Sequence, residues 1–196
     1  MASTNFDFDL AKFEDAYSDL FKELKAAGWR DDCANETDID LEPYWLSPFP
    51  MHNLARQFLI RFRCVTRRPI TLDGTYWKGV QFGCQDCYAA TSLKHARPYD
   101  VERLILQEKY DVARPPAFPI GIMKDWMIFL REDWSSITVN YCWRDALLSS
   151  NPFEVIDEFR RGGNSLWDNP EHHIEINDPD RVPPEIYRGA FSEYDD

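Results

Sequence analysis

The sequence predicts an α+β fold, a single domain in which a mostly antiparallel sheet is packed by two or three helices. Three observations carry this. Apolar residues recur at helical spacing in three stretches, and they alternate or cluster over strand-length runs in four others. The order is α, β, β, α, β, β, α, with the strands in adjacent pairs. A doubly wound parallel sheet would need regular β–α alternation, which is absent.

The first helix is read from Leu10, Phe13, Tyr17, Leu20, Phe21 and Leu24, which fall on one helical face. Asp7 or Asp9 can cap its start, and Gly28 is placed to end it. Residues 30–50 read as loop, with an acidic run (Asp31, Asp32, Glu36, Asp38, Asp40, Glu42) followed by an aromatic–proline cluster over 43–50. Over 57–65 the chain alternates. Phe58, Ile60, Phe62 and Cys64 share one side and Leu59, Arg61, Arg63 and Val65 the other, so a half-basic strand is expected. Asp73-Gly74 signals a turn before a second strand over 76–82.

A helix is expected at about 99–110, from Val101, Leu104, Ile105 and Glu108, and the proline-rich stretch 112–119 reads as a connector. Residues 126–130 and 137–141 flank a polar segment and predict a hairpin with a loop longer than two residues. The helix over 152–161 carries its own punctuation. Asn151 is the N-cap, Pro152 the first residue, Glu154 the capping-box partner and Gly162-Gly163 the stop. We divide the chain into a globular α+β unit, 1–163, and an acidic, proline-rich segment, 164–196, that packs on that unit or frays from it.

At 196 residues the chain fits one domain. Such a domain buries roughly 70% of the surface its unfolded chain exposes, so neither a disulfide nor a metal is required for a core. The 13 Phe, 9 Tyr and 7 Trp are spread along the chain and argue for order. Five cysteines are an odd number and do not form the dense framework of a small secreted domain. The first residues show neither a basic n-region nor an apolar h-region, and no run approaches 18 apolar residues. A cytoplasmic protein with no membrane association is expected.

The net charge is −12, and its distribution is uneven. Residues 1–50 carry 12 acids against 4 bases, residues 51–100 carry 3 against 8, residues 101–150 carry 7 against 6, and residues 151–196 carry 12 against 4. A negative field repels phosphate backbones and anionic membranes and attracts basic proteins. The arginines at 56, 61, 63, 67 and 68 have aromatics between them, as a nucleic-acid face would. In so acidic a chain they are read instead as partners for the acidic N-terminal segment, and direct nucleic-acid binding is not expected.

Motifs that would carry catalysis are weak. Cys84-Gln-Asp-Cys87 could supply half of a tetrahedral zinc site, with Cys64 and His95 the nearest further ligands, but the second paired spacing of a zinc ribbon is missing. The surroundings of a thioredoxin-type redox pair are missing too. The two thiols are read as incidental, with no structural metal and no cofactor. Glu171-His172-His173-Ile-Glu175 gathers four candidate ligands, but adjacent histidines on an extended segment point to opposite sides, so a solvated surface is expected. There is no GxSxG elbow, no glycine-rich phosphate loop and no GxGxxG.

What remains is a surface for a partner. Asp38, Asp40 and Glu42 adjoin Tyr44 and Trp45, joining carboxylates for long-range capture to large rings for desolvated contact. Small, acidic, motif-free α+β proteins rich in Trp and Tyr resemble bacterial immunity proteins, which bind and block a co-encoded toxin. The resemblance lies in the texture of the whole chain, with no diagnostic motif. It implies a protein-binding module that neutralises a basic toxin or enzyme, possibly a nuclease. The alternatives are a small enzyme, either a carboxylate-based hydrolase or a Cys-ligated zinc protein, and an acidic regulator that mimics nucleic acid.

Overall fold

The computed structural model describes residues 10–31, 51–65, 70–72, 75–83, 117–123, 126–140, 145–163 and 165–175. Among these residues seven strands form one antiparallel meander in which each strand hydrogen-bonds to the next described one. They are β1 (Ile70–Leu72), β2 (Thr75–Phe82), β3 (Ala117–Met123), β4 (Trp126–Arg131), β5 (Ser136–Asn140), β6 (Asp145–Ser149) and β7 (His173–Glu175). The helices are α1 (Leu10–Ala16), α2 (Ser18–Ala26), α3 (Asn53–Arg61) and α4 (Pro152–Arg161), with a short 3-10 turn at Arg63–Val65. Helices packed on an antiparallel sheet define an α+β domain.

The predicted first helix forms with a bend at Tyr17, which separates α1 from α2 (φ −122°, ψ 44°). Hydrogen bonds still cross the bend, from the Tyr17 N–H to the Phe13 carbonyl (2.8 Å) and from the Phe21 N–H to the Tyr17 carbonyl (3.0 Å). Leu10, Leu20, Phe21 and Leu24 are buried as the spacing requires. Gly28 ends the helix at φ 103°. The Gly28 N–H bonds the Lys25 carbonyl (3.0 Å) and the Trp29 N–H bonds the Leu24 carbonyl (2.9 Å), the paired closure of a Schellman motif.

The strand expected over 57–65 is a correction. That segment is the second half of α3 followed by the 3-10 turn. The buried residues Leu54, Ala55, Phe58, Leu59 and Phe62 step at helical intervals. Leu59 is fully buried while Ile60 is only half-buried, the reverse of what the alternation required. A window opened at Phe58 shows period two. Opened at Leu54 it shows period 3.6, and burial against the sheet selects the second.

The 112–119 connector is a second correction, because β3 begins at Ala117. Proline is tolerated in this interior strand because the β3–β4 register shifts between Pro119 and Gly121, a bulge that needs no donor from the ring. Gly121 lets β2 approach, since a Cβ there would stand 2.9 Å from the Gln81 carbonyl oxygen. The predicted strand over 76–82 is β2, and Leu72 and Thr75 pair on either side of Asp73-Gly74. The predicted hairpin is β4–β5, from Trp126↔Asn140 to Leu130↔Ser136. Its four-residue turn is held by the Asp133 carboxylate, which accepts from the Ser135 N–H (3.0 Å) and hydroxyl (2.5 Å). All six residues of β4 are buried, and its first five read as an unbroken apolar run.

Helix α4 follows its sequence signals closely. The Asn151 Oδ1 accepts from the N–H groups of Phe153 (3.0 Å) and Glu154 (3.1 Å), and Gly162 closes the helix at φ 66°. One detail differs from a capping box. The Glu154 carboxylate reaches the Ser150 N–H (2.7 Å), one residue before the cap, and takes the Ser150 hydroxyl as well (2.6 Å). Phe153 then enters the core between the helices, with ring centroids 5.2 Å from Phe13, 5.0 Å from Phe21, 5.9 Å from Phe58 and 5.7 Å from Phe62. Arg160 pairs with Asp157 on its own helix (2.7 Å) and with Glu23 of α2 (3.3 Å), fixing the two helices together. The helix expected at 99–110 lies outside the described residues.

Candidate functional site

Asp38, Asp40, Glu42, Tyr44 and Trp45 lie outside the described residues, as do Cys84, Cys87 and His95. The one described residue of the acidic run is Asp31. Its carboxylate meets the Arg61 guanidinium of α3 at 3.0 Å, and the Trp29 indole N–H donates to the Arg61 carbonyl (3.0 Å). An acid of the N-terminal segment and an arginine of the basic stretch therefore pair within the fold. Asp31 is 68% exposed, so the pair contributes little stability.

Cys64 is disulfide-bonded, which removes it as a zinc ligand for the Cys84–Cys87 pair. Among the described residues no group of three or more His, Cys, Asp and Glu is placed to hold a metal ion. His52 is buried and has both ring nitrogens occupied. Its Nδ1 accepts from the Ala55 N–H (3.2 Å) as N-cap of α3, and its Nε2 donates to the Leu130 carbonyl (2.8 Å). That arrangement ties α3 to the sheet, with both ring nitrogens engaged by backbone groups.

Of the segment read as a solvated surface, Glu171 is exposed, whereas His173–Glu175 form the strand β7. β7 pairs with β6 through Asp145↔Glu175, Ala146↔Ile174 and Leu147↔His173. Asn169 organises the turn that delivers it. Its side-chain oxygen accepts from the Glu171 N–H (2.9 Å), and its carbonyl accepts from the N–H groups of His172 (2.9 Å) and His173 (2.8 Å). The Leu148 carbonyl can only accept, so the His172 Nδ1 that meets it at 2.9 Å carries the proton. The two histidines have separate tasks, as adjacent residues on an extended segment should.

This turn builds the strongest candidate for a functional surface. After α4 stops at Gly162, the Glu158 carboxylate accepts the Ser165 N–H, and Leu166 is buried. The next residue, Trp167, is 38% exposed and is the one exposed large apolar side chain among the described residues. Its ring stacks on His173 (4.7 Å, 23°) and meets Trp126 edge-on (5.4 Å, 77°). Trp126 in turn meets Phe159 edge-on (5.4 Å, 66°). Phe159, Trp126, Trp167 and His173 thus form one row of rings, buried at Trp126 and exposed at Trp167. Asp168 and Glu171, both exposed, belong to the same turn.

Carboxylates beside a pre-ordered ring can steer a cationic partner and then bury apolar area against it. The sequence points to this combination at 38–45, and at 171–175 it points to metal ligands or acid–base groups. The dipeptide Trp167-Asp168 inside an acidic segment was the available signal. No protein-family model matches the chain, and neither the curated proteins nor the solved structures contain a match. No helix among the described residues is long and apolar enough to cross a membrane.

Proposed function

We propose that this protein is a protein-binding module of the immunity or inhibitor type, which captures and neutralises a basic toxin or enzyme. The observation that carries the reading is Trp167, exposed and held by His173 and Trp126 in a turn that also exposes Asp168 and Glu171. Two general features support it. The chain has a net charge of −12, with 12 acids against 4 bases in residues 151–196, where this surface lies. A ring already stacked on its neighbours also loses little side-chain freedom on binding, which favours it as an anchor.

A cytoplasmic location goes with this reading. The disulfide at Cys64 bears against it, because cytosolic thiols are kept reduced. Asp38, Asp40, Glu42, Tyr44 and Trp45 are also proposed to contact the partner.

The test is to isolate the partner from the source cell and measure association with purified proteins across a range of salt. We expect a basic partner and an on-rate that falls as salt rises, because screening sets in over about 8 Å at physiological ionic strength. Trp167→Ala should mainly accelerate dissociation, and Asp168→Asn with Glu171→Gln should mainly slow association. An acidic partner, an on-rate indifferent to salt, or unchanged kinetics in all three substitutions would reject the proposal.

A further inference from the structure

His52 joins α3 to the sheet through a buried polar contact. It precedes α3, whose inner face is Leu54, Ala55, Phe58 and Leu59, and it reaches across 78 residues of chain to the backbone of β4. The bond to the Leu130 carbonyl needs a proton on Nε2, and the cap on the Ala55 N–H needs a lone pair on Nδ1. Only the neutral ring in a single tautomer does both. Adding a proton turns Nδ1 into a donor facing another donor, which breaks the cap and leaves a helix N–H unpaired in a buried place. It also puts positive charge at a helix N-terminus, where the macrodipole disfavours it.

The charged groups acting on the ring are Glu132 and Asp133, in the turn that follows β4. Burial holds the ring below its ordinary value of 6.5, outweighing the bond to the Leu130 carbonyl and the two carboxylates, all of which favour the imidazolium. On α3 the next ionisable side chain is Arg56, whose backbone N–H bonds the His52 carbonyl (3.1 Å). On β4 it is Arg131, which follows Leu130. Neither cation eases protonation.

We infer that His52 is an acid-sensitive latch between α3 and β4, whose protonation releases the first turn of α3 from the sheet. The folded-state value lies below the unfolded one, so the stabilisation is complete above about 6.5 and is lost as pH falls from there through the folded value. This inference is independent of the binding function proposed above.

Hydrogen exchange of residues 53–61 at about pH 7 and about pH 5, on either side of the unperturbed imidazole value, tests it in wild type and in His52→Asn. Asparagine keeps an N-cap acceptor and has no titratable proton. After correction for intrinsic exchange chemistry, wild-type α3 should lose protection in acid while β4 and β5 keep theirs, and His52→Asn should show the same protection at both values. Equal responses in the two proteins, or loss of protection in α3 and the sheet together, would overturn the latch. If His52→Asn does not fold, the imidazole resonance of the wild type decides. A titration midpoint below 6.5 that coincides with faster exchange in α3 supports the latch, and a midpoint at or above 6.5 overturns it.

Discussion

Asn151 holds Tyr17 from 134 residues away, its side-chain N–H donating to the Tyr17 hydroxyl at 3.1 Å. The same side chain caps α4 through its oxygen, so one amide both starts that helix and pins the bend between α1 and α2. The relationship makes the N-terminal helices and α4 a single unit around Phe153, whose ring also meets Tyr17 at 6.3 Å.

Truncating this amide should cost more than an ordinary cap. Asn151→Ala is expected to destabilise by about 1–2 kcal/mol in chemical denaturation. Asn151→Asp keeps the cap but loses the donor, and should cost less. In a double-mutant cycle with Tyr17→Phe, Asn151→Ala should show a coupling of about 0.5–1.5 kcal/mol. Strict additivity would mean that the cap and the bend are independent.

The Tyr17 phenol provides a pH dependence. Burial raises its pKa above the usual 10.0; the Asn151 hydrogen bond and Arg161 oppose this, and Glu154 and Asp157 add to it. The folded state therefore keeps the phenolic proton longer than the unfolded state does. Its contribution to stability is intact below about 10 and is lost as pH rises through the folded value. Between about pH 9 and about pH 11, either side of the unperturbed phenol value, wild type should lose more stability than Tyr17→Phe. Equal losses would show that Tyr17 does not titrate abnormally.

Thr138 is a place where substitution should help. It sits in β5, fully buried, and its hydroxyl oxygen has no hydrogen-bond partner among the described residues. Valine has nearly the same shape without the stranded polar atom, and it suits a strand. Thr138→Val is therefore expected to raise stability by about 1 kcal/mol, seen as a higher denaturation midpoint at unchanged slope. A loss of stability would reveal that the hydroxyl has a partner.

The disulfide can be counted. Of five cysteines, Cys64 and one other are joined, so alkylation of the denatured, unreduced protein should label at most three. Prior reduction should raise the number to five. Four or five labels without reduction would show that Cys64 is a free thiol in the protein as isolated.

The local signals in the sequence that held are those whose partners lie within a few residues. Asn151, Pro152 and Gly162 mark α4 because a helix end satisfies its own N–H and carbonyl groups within one turn. The β4–β5 hairpin was legible for a similar reason, since two apolar runs joined by a short polar turn have little choice but to pair. His52 was not legible as a cap, because histidine is an uncommon N-cap and its second bond goes to a strand 78 residues on. Trp167 was hidden differently. Nothing in the order of residues 165–175 says that a tryptophan there will stack on His173 and stay partly exposed.

By itself, then, the sequence determined the α+β class, the face of the first helix, the limits of α4, the β2 strand and the concentration of negative charge at the two ends. Each follows from periodicity, capping or composition, which are properties of neighbouring residues. The tertiary structure alone decided that residues 53–61 are helix and not strand, that a proline-bearing segment is the interior strand β3, and that His173–Glu175 closes the edge of the sheet. Short apolar runs fit either period, and a strand acquires its hydrogen bonds only from another strand. In those places the partner, distant in sequence, settles the conformation.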